Sequence, residues 1–145
     1  MKIKRTVAAD VDTLHALENE CFSVPWSRSI IKREIADKHI RSFMLYENGT
    51  AVGYTFLRHI INEGHIENIA VHPDFRGRGF AGMLMETLIN EAKVLEMIGL
   101  TLEVRQGNRA AMALYHKYKF YVSGYRRGYY TEPTEDAVIM YKDLV

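Results

Sequence analysis

The chain has 145 residues, 48% of them hydrophobic and 26% charged, which is enough for one domain with a sizeable core. Its formal net charge of +1 offers no basic stripe for nucleic acid or an anionic membrane surface. One cysteine, Cys21, excludes an intrachain disulfide and points to a reducing compartment. No apolar run approaches the ~20 residues of a membrane span, and the start, Met1-Lys-Ile-Lys-Arg-Thr, lacks a signal-peptide core. A cytoplasmic, monomeric protein with a single domain over 1–145 is expected.

Ile3, Arg5 and Val7 alternate with Lys2, Lys4 and Thr6 as a short first strand. Asp10 is placed to cap a helix carrying Val11, Leu14, Leu17, Glu18 and Cys21. Pro25-Trp26-Ser27 breaks that pattern, and Ser27 or Ser29 opens a second helix with Ile30, Ile31, Glu34 and Ile35. Phe43 to Tyr46 reads as a strand and Val52 to Ile61 as its return. Between them Asn48-Gly49 is a hairpin signal, because both central positions of the favoured turn need positive φ. His65 to Val71 is a further strand.

A long helix is predicted from about Gly77 to Ile98, with Phe80, Leu84, Leu88, Ala92 and Leu95 in register and Gly99 ending it. Leu100 to Arg105 alternates as a strand, with Leu102 and Val104 on one face and Glu103 and Arg105 on the other. Asn108 caps a helix bearing Ala111, Leu114, Tyr115 and Tyr118. Phe120 to Tyr130 and Ala137 to Tyr141 complete the chain as strands. This order predicts an α/β (α+β) fold, a mixed sheet with helices on both faces.

The segment Arg76-Gly-Arg-Gly-Phe-Ala-Gly82 lies between a strand and the long helix. Gly77 and Gly79 let backbone amides approach a ligand, the helix start carries partial positive charge, and Arg76 and Arg78 can add charge-assisted bonds. Together they suit a pyrophosphate. No Gly-Lys-Ser/Thr follows, so the segment is not a Walker loop. It also lacks the leading strand and acidic partner of a dinucleotide fold. A glycine-rich turn with solvated arginines is the alternative.

Arg76-x-x-Gly79-x-Ala81 resembles the acetyl-CoA signature of the GNAT N-acetyltransferases, and the element order resembles that fold over nearly the whole chain. The resemblance implies a central sheet of about seven strands flanked by about four helices. It implies acetyl-CoA as co-substrate, with pyrophosphate on the amides of Gly77, Arg78, Gly79, Phe80, Ala81 and Gly82. It also implies that Ile69, Ala70 and Val71 offer backbone to the pantetheine where their strand bulges or splays, with the Val71 amide as oxyanion donor and Asn108 touching the coenzyme. Further stretches resemble the bacterial ribosomal-protein alanine N-acetyltransferases: Glu20-Cys-Phe-Ser-Val-Pro-Trp-Ser27, Leu102-Glu-Val-Arg-x-x-Asn108, Ala110-Ala-Met-Ala-Leu-Tyr115, Arg126-Arg-Gly-Tyr-Tyr130 and Glu135-Asp-Ala-Val-Ile-Met140. They imply transfer to the α-amine of an N-terminal alanine on a small-subunit ribosomal protein. One residue departs from the pattern: Lys119 stands where a glycine usually precedes Phe120.

Acetylating an amine requires loss of an N–H proton, a donor for the developing oxyanion and a proton for the departing thiolate. Periodicity alone reads Glu103 as a solvated strand carboxylate or a partner of Arg105; the resemblance makes it the general base. Tyr115 reads alone as sheet packing and by resemblance as the general acid, its phenol having an ordinary pKa near 10. Pro25, Trp26, Tyr129 and Tyr130 either line a peptide groove or pack the core. Arg126-Arg127 could meet a phosphate, a carboxylate or nothing, and reads first as a solvated basic pair. Cys21 reads as a small buried apolar residue. His15, His39, His59, His65, His72 and His116 show no ligand spacing, so no metal is expected. An acetyltransferase for lysine side chains or small amines, and a coenzyme-binding module without catalysis, are the competing functions.

Overall fold

The computed structural model describes residues 1–145. Its elements are β1 (Lys2–Arg5), α1 (Val11–Cys21), α2 (Arg28–Ala36), β2 (Ile40–Glu47), β3 (Thr50–Ile60), β4 (Glu63–Val71), α3 (Phe80–Val94), β5 (Gly99–Arg105), α4 (Arg109–Lys117), β6 (Tyr121–Tyr130) and β7 (Glu135–Asp143). The strands form one seven-stranded sheet in the order β1-β2-β3-β4-β5-β7-β6. Every neighbouring pair is antiparallel except β4 and β5, which run parallel because α3 carries the chain back between them. The expected mixed sheet with four helices is therefore present.

Two apolar layers hold the sheet. Val11, Leu14, Leu17 and Ile31 from α1 and α2 bury Met44, Tyr54, Phe56 and Ala70 on one face. Met85, Leu88, Ile89 and Ala92 from α3, with Tyr115 from α4, bury Leu57, Ile66, Leu100, Leu102 and Met140 on the other. Strands β3 and β4 are thus covered on both faces. On β5, Thr101, Glu103 and Arg105 face the α1/α2 side and stay half-buried.

Local signals behave as their chemistry requires. Asn48 and Gly49 take φ of 50° and 80° between β2 and β3. Ser27 caps α2, its hydroxyl accepting from the Ile30 amide at 3.2 Å. Asp10 does not cap α1; its carboxylate reaches back to the Val7 amide at 2.8 Å and closes a 3-10 turn.

The long helix is shorter than its periodicity predicts, because both ends are set by left-handed residues. Gly79 (φ 84°) precedes Phe80, and Glu96 (φ 58°) stops the helix with Met97 N–H on Ala92 C=O and Glu96 N–H on Lys93 C=O. Gly99 is not the stop signal. It lies in β5, where a Cβ would sit 1.8 Å from the Tyr141 hydroxyl.

Helix α4 ends by the same device. Lys119 takes φ 72°, its N–H bonds His116 C=O at 3.0 Å, and Phe120 N–H bonds Tyr115 C=O at 3.0 Å. Phe120 then packs on the Tyr115 ring, with centroids 5.9 Å apart. A side chain at left-handed φ costs about 1 kcal/mol that glycine avoids, less what glycine loses through a freer unfolded chain. Lys119→Gly is expected to raise unfolding stability by about 0.5 kcal/mol, read as a higher urea midpoint with an unchanged slope.

Candidate active site

The site begins where β4 leaves β5. Their pairing runs from Glu63↔Gly99 to Ile66↔Leu102 and stops. At the same point β3 pairs Phe56 with Asn68 and Leu57 with Ile66, so Glu67 is an extra, bulged residue. Beyond it β4 remains attached to β3 alone, and β5 to β7 alone. A wedge opens between two adjacent strands of the sheet.

Backbone polar groups line that wedge. The His72 N–H bond to Val52 C=O (2.8 Å) fixes the alternation of the antiparallel ladder. Ala70 consequently turns its amide to β3, while Ile69 and Val71 turn theirs to the open side. Arg76 Nε donates to the Val71 carbonyl at 2.9 Å, which ties the following loop to the strand end and leaves the Val71 N–H facing the wedge.

The loop beyond is an array of unpaired donors. None of the backbone N–H groups from Gly77 through Gly82 bonds to another group of the protein. Gly77 and Gly79 hold φ of 77° and 84°, with nothing within 4 Å of where a Cβ would stand. Such amides at a helix N-terminus fit the phosphates of a coenzyme. Arg78 is paired with Glu47 and lies over the Phe80 ring at 4.9 Å. Gly82 has a different constraint: its carbonyl accepts from the Tyr118 hydroxyl at 3.2 Å, and a Cβ would stand 3.0 Å from that oxygen. Asn108 caps α4, accepting from the Ala111 amide at 3.1 Å.

Glu103 projects from β5 on the α1/α2 side, while Tyr115 of α4 lies in the apolar layer on the opposite side of the sheet. Glu103 Oε2 lies 2.6 Å from His65 Nε2, and its Oε1 lies 3.6 Å from Arg126 Nε. The His65 hydrogen bond holds the Glu103 carboxyl below its ordinary range, with Arg126 adding to the effect and partial burial opposing it. Arg105, the partner considered from sequence, points elsewhere. Arg126 is 56% exposed, so it is a solvated cation that also faces Glu103 and stacks on Tyr129 at 5.6 Å.

Tyr115 is 6% exposed, yet its hydroxyl has no protein partner. No fully enclosed side-chain oxygen in the molecule lacks one, so this hydroxyl is not sealed off from solvent. Burial pushes its pKa up and nearby Tyr130 adds to the shift, so the phenol keeps its proton throughout the neutral range. Tyr130 itself is pushed up to about 12, chiefly by burial.

Two polar anchors that sequence reading passed over shape the surrounding segments. Glu18, 2% exposed, accepts from the Tyr54 hydroxyl, from Asn68 Nδ2 at 3.1 Å and from the Trp26 amide at 2.8 Å. It fastens the α1–α2 segment carrying Pro25 and Trp26 to the strands beneath, where Trp26 meets Phe56 edge-on. Burial raises its pKa against those hydrogen bonds. Arg105 clamps the β6–β7 turn, donating to the Thr131 and Pro133 carbonyls at 2.9 Å each and lying 4.5 Å over the Tyr130 ring. Ser23 Oγ then donates to the Glu132 carbonyl at 2.9 Å, joining the two segments. Cys21 lies half-buried near Arg76, and burial pushes its thiol up, away from nucleophile behaviour.

The acetyltransferase (GNAT) family profile matches residues 11–120. The chain belongs to this family, whose members are transferases that take their acetyl group from acetyl-CoA. It is 33% identical over 133 residues to the [ribosomal protein bS18]-alanine N-acetyltransferase of Escherichia coli (strain K12), covering 90% of this chain and 89% of that one. With the enzyme of the same name from Haemophilus influenzae it shares 32% identity over 141 residues, 95% of each chain. The crystal structure of the ribosomal-protein-S18-alanine N-acetyltransferase from Escherichia coli superposes with a TM-score of 0.93 at 31% identity, over 99% of this chain and 93% of that one.

Two measurements check these contacts. Arg105→Ala removes several bonds to the β6–β7 turn, each worth about 1 kcal/mol. Amides from Gly128 to Glu135 are expected to exchange roughly tenfold or more faster, with β2 and β3 unchanged. Glu103, held below its unfolded value, contributes stability that is complete above about pH 4.5 and is lost as pH falls through the depressed pKa. Glu103→Gln is expected to flatten that acid limb in a stability–pH series.

Proposed function

We propose that this enzyme acetylates the α-amino group of an N-terminal alanine, on the ribosomal protein for which its relatives are named. The observation that carries this reading is the likeness to those enzymes over 90–95% of the chain, which includes both segments flanking the wedge. Bound acetyl-CoA supplies an acetyl group activated as a thioester. The amides of Gly77 to Gly82 hold its pyrophosphate, and the backbone of Ile69 and Val71 takes the place that β5 vacates. Asn108 contacts the coenzyme while capping α4. Arg76 acts indirectly, by fixing the Val71 carbonyl. The Val71 N–H then stabilises the oxygen that gains charge in the transition state.

Glu103 is the base, directly or through one water, and Tyr115 the acid. The acceptor enters from the α1/α2 face, where Glu103 Oε1 takes its N–H proton. Tyr115, on the opposite face, gives its proton to the departing sulfur and regains one from solvent. The wedge lets both act on one reacting centre, although they lie on opposite sides of the sheet. Pro25, Trp26, Tyr129 and Tyr130 form the walls that receive the first residues of the acceptor. The Ser23–Glu132 bond closes those walls together, which favours a thin chain end over a lysine projecting from a folded surface.

The test offers acetyl-CoA with peptides that begin with Ala, Ser or Met, an N-blocked peptide with lysine, and a polyamine, read by mass spectrometry. Acetylation of the Ala α-amine is expected, with kcat reduced on the order of 10²-fold or more in Glu103→Gln and in Tyr115→Phe. Modification of only lysine or the polyamine would overturn the substrate reading. Coenzyme binding with no acceptor modified would instead favour a non-catalytic module.

A further inference from the structure

His65 sits at the throat of the wedge. It pairs with Thr101 of β5 one rung before the two strands part, and with Arg58 of β3 on its other side. Glu103 is two residues beyond Thr101 on the same face, so the His65–Glu103 contact crosses the point of separation. An ionised carboxylate only accepts, so at 2.6 Å the imidazole donates from Nε2 to Oε2. Oε1 is left turned toward the open face, with Arg126 at 3.6 Å. The His65 ring is itself 25% exposed.

We propose that His65 is a positioning residue for the base: it fixes Oε2 of Glu103 and presents Oε1 to the acceptor amine. This rests on the reading of Glu103 as base. As the amine nitrogen bonds to the acetyl carbon, its N–H proton passes to Oε1 and then to solvent; His65 keeps its Nε2 proton throughout.

The other charged groups around His65 are largely engaged with one another. Arg58 on β3 is bound by Glu67 of the bulge at 2.5 Å and by Glu34 and Asp37 of α2 at 3.0 Å each. Glu63 on β4 accepts from the Tyr141 hydroxyl of β7 at 2.5 Å. Arg126 on β6 faces Oε1 of Glu103. Glu103 is the group that bonds the imidazole.

The experiment is kcat and KM at one fixed pH with an Ala-initiated peptide, for the intact enzyme, His65→Gln, His65→Ala and Glu103→Gln. His65→Ala is expected to lose roughly tenfold in kcat, a part of what a positioned base supplies, with KM for acetyl-CoA unchanged. His65→Gln keeps an amide donor for Oε2, so it is expected to restore most of that kcat. Full kcat in His65→Ala, or a loss in His65→Gln as large as in His65→Ala, overturns the proposal. Full activity in Glu103→Gln would overturn the base reading itself; an inactive Glu103→Gln beside a fully active His65→Ala would overturn only the role of His65.

Discussion

The structure depends on one broken ladder. A parallel pair buried under helices on both sides normally satisfies its backbone along its whole length. Here β4 and β5 pair only through Ile66 and Leu102, and Glu67 bulges out of the β3 ladder at the same place. The backbone groups of Ile69 and Val71 are left on an open edge in the middle of a sheet. Exposed strand edges invite another extended chain. The pantetheine arm of acetyl-CoA, with its two amides, is such a chain in chemical terms. The unpaired amides of Gly77 to Gly82 continue the same row of donors around a corner into the loop before α3.

The surrounding anchors prevent the gap from collapsing. Arg76 holds the Val71 carbonyl, Glu18 holds Trp26, Tyr54 and Asn68, and Arg105 holds the β6–β7 turn. Arg76 and Glu18 are charged side chains spent on backbone or neutral partners, and Arg105 adds a carboxylate, Glu135 at 3.3 Å, to its two carbonyls. Glu18 is the costliest: a carboxylate with 2% exposure and no paired cation survives on three donors. Tyr115 is placed by packing, held by the left-handed turn at Lys119 that brings Phe120 against its ring. A residue unfavourable for local conformation is tolerated there because the turn satisfies two carbonyls and fixes an aromatic contact.

Features written in short segments were legible in the sequence. The Asn48-Gly49 turn, the apolar stripes of the helices and the glycines of the loop before α3 all follow from neighbours within a few residues. Features created by strand pairing were not. His65 and Glu103 are 38 residues apart and meet only because β4 and β5 pair in one register. Gly99 looked like a helix stop and is instead room for Tyr141 from β7. Asp10 looked like a helix cap and closes the turn before it. Arg105 is not the partner of Glu103, because β6 brings Arg126 to within 3.6 Å of it while Arg105 turns to the hairpin. The alternation of β5 did place Glu103 on the open face, but only the register supplied its partner.

The central claim is that the wedge and the loop beyond it together form one coenzyme site. Titrating the 15N-labelled protein with acetyl-CoA and following backbone amide resonances tests it most directly. The account predicts the largest shifts at Val71 and at Gly77 through Gly82, with slowed hydrogen exchange at the same amides. Shifts that leave those residues unmoved and fall instead at another basic surface, such as Lys2 and Lys4 beside Tyr46, would contradict it.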